Sequence, residues 1–594
     1  MNISAPRYRR LVTAGAVAGV AALVLAACTT GGDTGEPAAS SGTVRIAEVN
    51  ELSSFNTDSV IGNVDINSQV AYLSQSEFFY LDNTASVVYD ESFGTVELLS
   101  EDPLSVKYTV NEGVTWSDGE PIDADDMLLS WASQSGYFDD ASFDEDGEIT
   151  TGSTYFTPAG STSGIDQTAF PEVGDDGRSI TLNYSGPFAD WNLVQPTGVP
   201  AHVVAENAGL EPDALVALFE GLPKGDPAAP VEANAELRAV ADFWNKGFDT
   251  ASLPSDESLY LASGPFVLSE WDPAQSVTLV ANEAYTGDHS PEGIDQVVVR
   301  FIGDPNAQVT ALQNGEVDII NPQASGDILT SLEAIDDVNV VTGDTGSYDH
   351  IDLNFNSGVF GDPVVREAFL KTIPRAQILD ALIRPLDPEA DLLNSQIFFP
   401  GVNGYDEAVA SNGSDAFGDV DIAGATALLA GATPTVRLAY NNENPNRVDS
   451  FLAIQASAAE AGIVVEDGGL PGDQWGAALS LPDTWDAFIF GWSTVGAGVS
   501  GVPQLFETGG GGNYSSFSNA DADALMQELV RSVDAEEQVA LEVQIEQLIW
   551  EGSFGLPLFV IPGVIAFGPN VQGVEYSPWQ TGPIWNFWEW TITE

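Results

Sequence analysis

The chain has 594 residues, of which 44% are hydrophobic, and its formal net charge at pH 7 is −72. This length and hydrophobic content predict globular structure equivalent to about three or four domains. Because so large a negative charge repels nucleic-acid phosphates and anionic lipid headgroups, we expect no nucleic-acid partner.

The N-terminus has the pattern of a secretory signal peptide. Arg7, Arg9 and Arg10 precede an apolar run over residues 11–25, and a Leu-Ala-Ala-Cys sequence ends at Cys28. The run is short for a membrane-spanning helix, and residues 28–42 are polar and glycine-rich, as in flexible linkers. The sequence therefore predicts a signal peptide over residues 1–27, a linker over residues 28–42, and secretion of the remainder.

Cys28 is the only cysteine of the chain, so it cannot form an internal disulfide. Its context resembles the lipobox at which bacterial lipoproteins are cleaved and diacylated. Such an anchor would hold a soluble protein stably on the extracytoplasmic face of the cell membrane. The alternative is an ordinary cleaved signal with an incidental cysteine.

Strand-like and helical patterns alternate along the rest of the chain, which predicts a mixed α/β fold. The first strand is expected at residues 43–50. Further strands are expected at residues 106–110, 180–184, 267–268, 277–281, 297–302, 316–320, 486–492 and 556–567. Two helices have clear starts, because Asp304 and Asp362 can each cap a helix whose first residue is proline.

The acid-rich stretch VTWSDGEPIDADDMLLSW, residues 114–131, raises the question of a metal or catalytic site. Asp123 can accept amide hydrogens at the start of a helix, and Asp125 and Asp126 suit the positive end of its dipole. Met127, Leu128 and Trp131 then give that helix a buried face. The stretch is therefore interpreted as a turn followed by the start of a helix. A metal-binding or catalytic role is the alternative.

Motifs that carry catalysis or metal binding are missing from the sequence. It contains no GxSxG, GxxxxGK[ST] or HExxH motif, and its three histidines are far apart. Residues 496–501 fit GxGxxG, but Pro503 and four glycines follow, so no long helix can begin there as a dinucleotide site requires. We expect no enzyme activity, cofactor or metal; a surface hydrolase that uses two carboxylates is the rival reading.

Eight motifs in order resemble the extracellular solute-binding proteins of family 5, the peptide and oligopeptide binders of ABC importers. They begin with WSDGEPIDADDMLLSW and cover essentially all of the mature chain. The others are VPAHVV at residues 199–204, ASGPFVLSEWDPAQSVTLVANEAYTG at 262–287, DPNAQVTALQNGEVDII at 304–320, LNFNSGVFGDPVVREAFLKTIPR from 353, WDAFIFGWS from 485, NYSSFSNADADALM from 513 and LPLFVIPGV from 556.

The resemblance implies a periplasmic-binding-protein-like fold of the class II, Venus-flytrap type, with two lobes joined by a hinge and an extra domain inserted in lobe I. On this template, lobe I comprises residues 43–75, 190–322 and 566–594. The inserted domain comprises residues 76–189, and lobe III comprises residues 323–565.

The resemblance also implies the mechanism and the partners. The lobes close around a small-molecule or peptide solute by hinge motion, and the closed protein delivers it to ABC permease subunits served by a separate ATPase. No bond is made or broken by this chain, which is expected to be a monomer.

Peptide-binding relatives hold their ligand extended between the lobes and place an Asp three residues after the Trp that ends a strand, where it pairs with the free amine of the peptide. The corresponding position after Trp492 is Val495. Because a buried ammonium without a carboxylate partner is costly, this departure weakens the case for a free-amine peptide.

The residues expected to contact the solute lie at strand ends and in a glycine-rich segment. They are Trp492, Tyr514, Tyr440, Asn441, Asn354 and Asn356. Each aromatic residue could instead belong to the core.

A further alternative keeps the fold but leaves transport. Some actinobacterial lipoproteins that resemble this family act in cell-envelope glycolipid assembly, and an alanine- and glycine-rich, lysine-poor composition fits such a source. Val495 is consistent with a changed ligand.

Overall fold

The computed structural model describes residues 42–84, 86–143, 149–159, 162, 164–471, 474–479, 481–493 and 498–593. The expected signal peptide, Cys28 and Val495 lie outside these residues. Within the described ranges, every helix is too short or too polar to cross a membrane.

Strands occur along the whole described chain. They are β1 (Thr43–Glu48), β2 (Phe79–Leu81), β3 (Val87–Tyr89), β4 (Gly94–Glu101), β5 (Leu104–Val110), β6 (Ser142–Phe143), β7 (Ile149–Thr151), β8 (Glu172–Val173), β9 (Ser179–Asn183), β10 (Phe266–Asp272), β11 (Ser276–Ala281), β12 (Gln296–Phe301), β13 (Ile319–Ile320), β14 (Asn339–Leu353), β15 (Thr435–Asn441), β16 (Val464–Leu470), β17 (Ala487–Ser493), β18 (Gly555–Phe567), β19 (Val571–Gln572) and β20 (Thr591–Ile592).

Helices connect most of these strands. They are α1 (Asp65–Ser74), α2 (Ala124–Ser135), α3 (Ala201–Asn207), α4 (Leu215–Glu220), α5 (Ala235–Lys246), α6 (Pro305–Gln313), α7 (Gly326–Glu333), α8 (Pro363–Leu370), α9 (Arg375–Leu382), α10 (Tyr405–Ser411), α11 (Ile422–Leu429), α12 (Pro445–Glu460), α13 (Trp475–Leu479), α14 (Gly501–Phe506), α15 (Ala520–Leu529) and α16 (Ala535–Glu551). Short 3₁₀ helices lie at Ile165–Gln167, Trp191–Leu193, Glu257–Tyr260, Ser414–Phe417, Pro482–Thr484 and Gly582–Glu589.

One ten-stranded sheet organises the molecule, in the order β10-β11-β12-β1-β13-β18-β14-β17-β15-β16. On one side of its centre β1 is parallel to β12 and β13. On the other side β15 is parallel to both β16 and β17. A separate four-stranded sheet, β4-β5-β9-β8, lies under α2 and its neighbours.

The two long central strands, β14 and β18, run through both halves of the sheet. Residues 339–344 of β14 pair with residues 562–567 of β18, and residues 348–352 pair with residues 555–560. Between these two stretches the register shifts, and Gly346 has a φ of 62°. We call this break, residues 344–348 with 560–562, the crossing.

Buried side chains form several separate cores. The first core contains residues between 78 and 248, the second contains residues of β1, α1, β10–β12 and 565–590, and the third contains residues between 351 and 559. A fourth core, between residues 499 and 554, joins α14, α15 and α16. Residues 324–332 share a smaller core with residues 309–320 and 564–566.

The predicted helix starts are confirmed. The Asp304 side chain accepts a hydrogen bond from the amide of Ala307, and that of Asp362 accepts one from the amide of Val364. Two predicted strands were too long: the strands expected at residues 43–50 and 316–320 are only β1 (Thr43–Glu48) and β13 (Ile319–Ile320).

The acid-rich stretch is a helix start, as predicted. The Asp123 carboxylate accepts from the amide of Asp125 at 2.9 Å, and the Asp126 carboxylate accepts from the amide of Asp123 at 3.0 Å. Asp126 also accepts from the amide of Ala201 and the indole of Trp116, so it ties α2 to α3. Burial raises the pKa of Asp126 to about 7.

Candidate functional site

Parallel strands of both halves of the sheet end towards the crossing. On one side β17, β15 and β16 end at Ser493, Asn441 and Leu470, and Ser493 pairs with Ser347 of the crossing. On the other side β13 ends where Ile320 pairs with Ala566, a few residues from the crossing. In open α/β sheets, ligands bind outside the carboxyl ends of the strands where the strand order switches. This geometry makes the space beside the crossing the candidate solute site.

An aromatic surface lies on the β17 side of this space. The rings of Trp492 and Tyr514 stack with centroids 5.9 Å apart and planes 3° apart. Phe490 supports both rings edge-on, and the ring of His350 is parallel to Trp492 at 6.4 Å. Trp492 and Tyr514 are each partly buried, so part of their aromatic surface remains accessible. We call Trp492 and Tyr514 the aromatic pair.

The glycine-rich segment before Tyr514 lets the chain approach the indole of Trp492. A Cβ on Gly512 would lie 2.8 Å from Cδ2 of Leu505 and 3.2 Å from Cη2 of Trp492. A Cβ on Gly511 would meet nothing within 4 Å. Glycine at position 512 is therefore needed for the geometry of the aromatic pair, whereas glycine at position 511 is not.

A buried ion pair lies beneath β17. Nη2 of Arg447, near the start of α12, donates to Oδ1 of Asp349 on β14 at 2.9 Å. The guanidinium lies 5.3 Å from the ring centroid of Trp475, and a Cβ on Gly491 would be 3.0 Å from Nη2. Because both side chains are almost fully buried, removal of either partner would leave an unpaired interior charge.

The β1 side of the site carries acidic and amide side chains. Glu48, the last residue of β1, is 5% exposed, and its Oε1 has no hydrogen-bond partner among the described residues. Burial, with a smaller contribution from the charge of Asp65, raises the pKa of Glu48 to about 8, although a hydrogen bond from Gln69 opposes this. Asn50 donates to Asp65 at 2.9 Å. This side therefore holds a buried acid, Glu48, beside a more exposed pair of Asn50 and Asp65.

The structure places the other predicted solute contacts as follows. Tyr440 is 4% exposed, stacks on Phe451 at 4.9 Å and donates its hydroxyl to Asp467 at 3.1 Å, so its ring belongs to the third core. Burial is the main cause that raises the pKa of this phenol to about 12. Asn441 is half-buried at the end of β15, and its Oδ1 accepts from the amide of Glu443.

The two asparagines of the LNFN segment differ in exposure. Asn354 is 1% exposed, donates to the carbonyls of Pro482 and Trp485, and accepts from the amide of Asn356, so its amide group is used inside the protein. Asn356 is exposed. The structure therefore brings Trp492 and Tyr514 together, whereas Asn354 and the ring of Tyr440 face the interior.

Sequence reasoning missed Arg447, Asp349 and Glu48. Glu48 could have been noticed as a carboxylate at the end of a strand whose alternate residues, Val44 and Ile46, are buried on the same face. Nothing in the sequence links Arg447 to Asp349, because 98 residues separate them. Among the described residues no group of three or more His, Cys, Asp or Glu side chains has the geometry to hold a metal ion.

Comparison with known proteins supplies a family and a fold. The family model for bacterial extracellular solute-binding proteins, family 5 Middle, matches residues 95–514. An uncharacterised lipoprotein of Mycobacterium tuberculosis is 26% identical, with 99% of this chain and 100% of the relative aligned.

Two solved structures share the fold. A periplasmic EDTA-binding protein, EppA, superposes with a TM-score of 0.77 at 22% identity and covers 93% of this chain and 97% of its own. The oligopeptide-binding protein AppA of Bacillus subtilis, in complex with a nonapeptide, gives a TM-score of 0.69 at 20% identity over 93% and 99% of the two chains. The predicted fold, a mixed α/β periplasmic-binding-protein fold, is confirmed.

Proposed function

Since the chain belongs to the bacterial extracellular solute-binding proteins of family 5, non-enzymatic binding components of ABC transport, we propose that its solute is an oligopeptide or a similar elongated polar molecule. The chain captures this solute between its two lobes and delivers it to a membrane permease with a separate ATPase. The observation that carries the proposal is the aromatic pair at the carboxyl end of β17, beside the crossing.

The geometry favours an elongated solute for a physical reason. The carboxyl ends of two strand sets face the same crossing, so a bound molecule meets strand ends from both directions and can hydrogen-bond to their main-chain groups. The aromatic pair adds flat apolar area that suits many side chains without selecting one. AppA was solved with a nonapeptide and EppA is named for EDTA, so relatives of this fold accept more than one class of solute.

The proposal includes a lipid anchor on Cys28, at the extracytoplasmic face of the membrane. Its support is the Leu-Ala-Ala-Cys sequence and the lipoprotein name of the mycobacterial relative, which aligns over 99% of this chain. The chain acts as a monomer in this proposal. Growth with radiolabelled palmitate, followed by isolation of wild-type chain and a Cys28→Ser variant, tests the anchor: the account expects label only in the wild type.

The proposed division into lobes is 43–75, 190–322 and 566–594 for lobe I, 76–189 for the insert, and 323–565 for lobe III. The second core supports lobe I of this division and the third core supports lobe III, whereas the first core departs from it. Residues 199–248 pack in the first core together with residues 78–188, and β14 enters lobe III only after the crossing. Limited proteolysis with mapping of the cut sites tests where the lobes separate.

The solute is tested by mass spectrometry of the small molecules that a gently purified chain, beginning at Thr29, releases on denaturation. A set of short peptides supports the proposal and means that a group other than Val495 meets the free amine. A released glycolipid would contradict it and favour the alternative role in cell-envelope glycolipid assembly. A released non-peptide polar solute would keep the transport role and replace the substrate class.

A further inference from the structure

Asp190 joins two parts of the molecule that otherwise have separate cores. It lies between Phe188 and Trp191, which both pack in the first core. Its carboxylate contacts the segment that follows β17: Oδ1 accepts from the amide of Val499 at 3.0 Å, and Oδ2 accepts from the amide of Ser500 at 2.8 Å. Val499 belongs to the fourth core. A single side chain therefore links residues that are 309 positions apart in the sequence.

The neighbouring backbone strengthens the same contact. The amide of Ala189 donates to the carbonyl of Val530 at 2.9 Å, and the methyl group of Ala189 packs against the fourth core. Among the described residues, the hydrogen bonds between residues 76–262 and residues 345–560 number three, and all three involve Ala189 or Asp190. Among the described residues, the hydrogen bonds between these two parts of the chain are thus concentrated at one point.

Two features make this contact selective for a carboxylate. Asp190 is 9% exposed, and hydrogen bonds from two amides to one ionised carboxylate are stronger than neutral ones. A Cβ on Gly498 would lie 2.7 Å from the carboxyl carbon and from both oxygens of Asp190. Glycine at 498 therefore leaves the space that the carboxylate occupies.

We propose that Asp190 is a closure latch, a positioning residue whose two hydrogen bonds hold the first core against the fourth core when the lobes are closed around solute. This inference rests on the proposed function, because only a protein that opens and closes needs such a latch. A hinged protein exchanges between open and closed forms, and contacts made only in the closed form shift the populations towards it. The latch would accordingly lengthen the time for which a solute stays bound.

The effect of the latch on lobe closure can be measured as a distance between two spin labels. Because Cys28 is the only cysteine, a chain that begins at Thr29 can carry two introduced cysteines as the only labelling sites. Val231, 63% exposed near the first core, and Leu452, 52% exposed on α12 beside the third core, are suitable positions. Double electron–electron resonance between spin labels there, on chain gently purified with the solute that it retains, reports the distance between the two sides, and that solute need not be identified.

The latch variant is Asp190→Ala, with Asp226→Ala as its matched control. Asp226 is exposed, and its carboxylate accepts only from the nearby amide of Ala228, so its loss removes one charge from the same side of the molecule without touching Val499 or Ser500. We expect Asp190→Ala to move the distance distribution towards longer values, whereas Asp226→Ala leaves it unchanged. An unchanged distribution in folded Asp190→Ala would overturn the proposal.

A second variant guards against misfolding of the first. Gly498→Ala leaves Asp190 in place but puts a methyl group against its carboxylate, so it should lengthen the distance in the same direction. Asp190→Asn keeps one acceptor oxygen and should give a shift between those of the wild type and the alanine variant. If Asp190→Ala and Gly498→Ala both fold, as thermal unfolding would show, and neither shifts the distance, the latch does not exist. This conclusion holds even where mass spectrometry finds a bound solute.

Discussion

The two strand sets that end at the crossing differ in what they present there. At the end of β17, Trp492 and Tyr514 are partly buried, and each ring covers one face of the other. At the end of β1, Glu48 is 5% exposed and lacks a basic partner among the described residues. Under the proposed function, the β17 side would contact a solute through its aromatic surface, while the β1 side keeps its acid inside the protein. Substitutions on the β17 side should therefore change solute binding, and those on the β1 side should change stability and its pH dependence.

The largest expected effect is that of Trp492→Ala on solute affinity. Loss of the indole removes half of the aromatic pair, and aromatic residues of this kind are often binding hot spots worth about 2 kcal/mol or more. We expect affinity for the solute identified by mass spectrometry to fall by about thirtyfold or more in isothermal titration calorimetry. Trp492→Phe keeps a ring and should lose much less, and equal affinity in wild type and Trp492→Ala would contradict the assignment.

The next effect belongs to the β1 side and concerns stability. Burial raises the pKa of Glu48 from 4.5 to about 8, so the folded protein holds a proton that the unfolded chain releases. The free energy of unfolding should fall as pH rises from about 4.5 to about 8. Glu48→Gln removes this dependence and should raise the free energy of unfolding by about 2 kcal/mol above pH 8.

Urea unfolding of wild type and Glu48→Gln at pH 4.5, 6.5 and 8.5 tests the direction of this change in the free energy of unfolding with pH. We expect the two proteins to differ least at pH 4.5 and most at pH 8.5. A wild type that is more stable than Glu48→Gln at pH 8.5 would mean that ionised Glu48 stabilises the folded protein, and would contradict this account. Glu51→Gln, a change at an exposed acid on the same side, is the matched control for loss of one charge.

A smaller effect on binding is expected from Gly512→Ala. The added methyl group would lie 3.2 Å from Cη2 of Trp492 and closer still to Leu505, so the indole must move away from Tyr514. We expect about a tenfold loss of affinity, or about 1.4 kcal/mol. Gly511→Ala, which adds a methyl group in open space, is the matched control and should bind as the wild type does. Equal losses of affinity in Gly512→Ala and Gly511→Ala would show that the glycine-rich segment, and not the aromatic pair, determines the affinity.

The smallest effect is expected from Asp65→Asn. The charge of Asp65 contributes to the raised pKa of Glu48, but burial contributes more. Removal of this charge should lower the pH at which the fall in stability ends, because the folded-state pKa of Glu48 sets that end, without abolishing the dependence. The measurement is the midpoint of the pH profile of urea unfolding; an upward shift of this midpoint would contradict the account.

Features set by neighbouring residues were predictable from the sequence. The caps at Asp123, Asp304 and Asp362 depend on residues within one helical turn, and the structure has all three. The apolar run at residues 556–567 likewise became the buried strand β18. The family resemblance, which depends on motifs over the whole chain, predicted the fold.

Features set by distant residues were not predictable. A strand end shows that Tyr440 is near the carboxyl edge of a sheet, but not that its ring stacks on Phe451 inside the third core. The polar side chain of Asn354 could equally meet a solute or the carbonyls of Pro482 and Trp485, which are more than 120 positions away. The contact of Asp190 with Val499 has no local signal at all, because it depends on how two cores meet.

The claim that the solute lies beside the crossing against the aromatic pair is tested most directly by an experimental structure of the chain with the solute that purifies with it. The account predicts that this solute lies between the carboxyl ends of the two strand sets and contacts both Trp492 and Tyr514. A solute bound elsewhere, with the faces of both rings uncovered, would contradict the account.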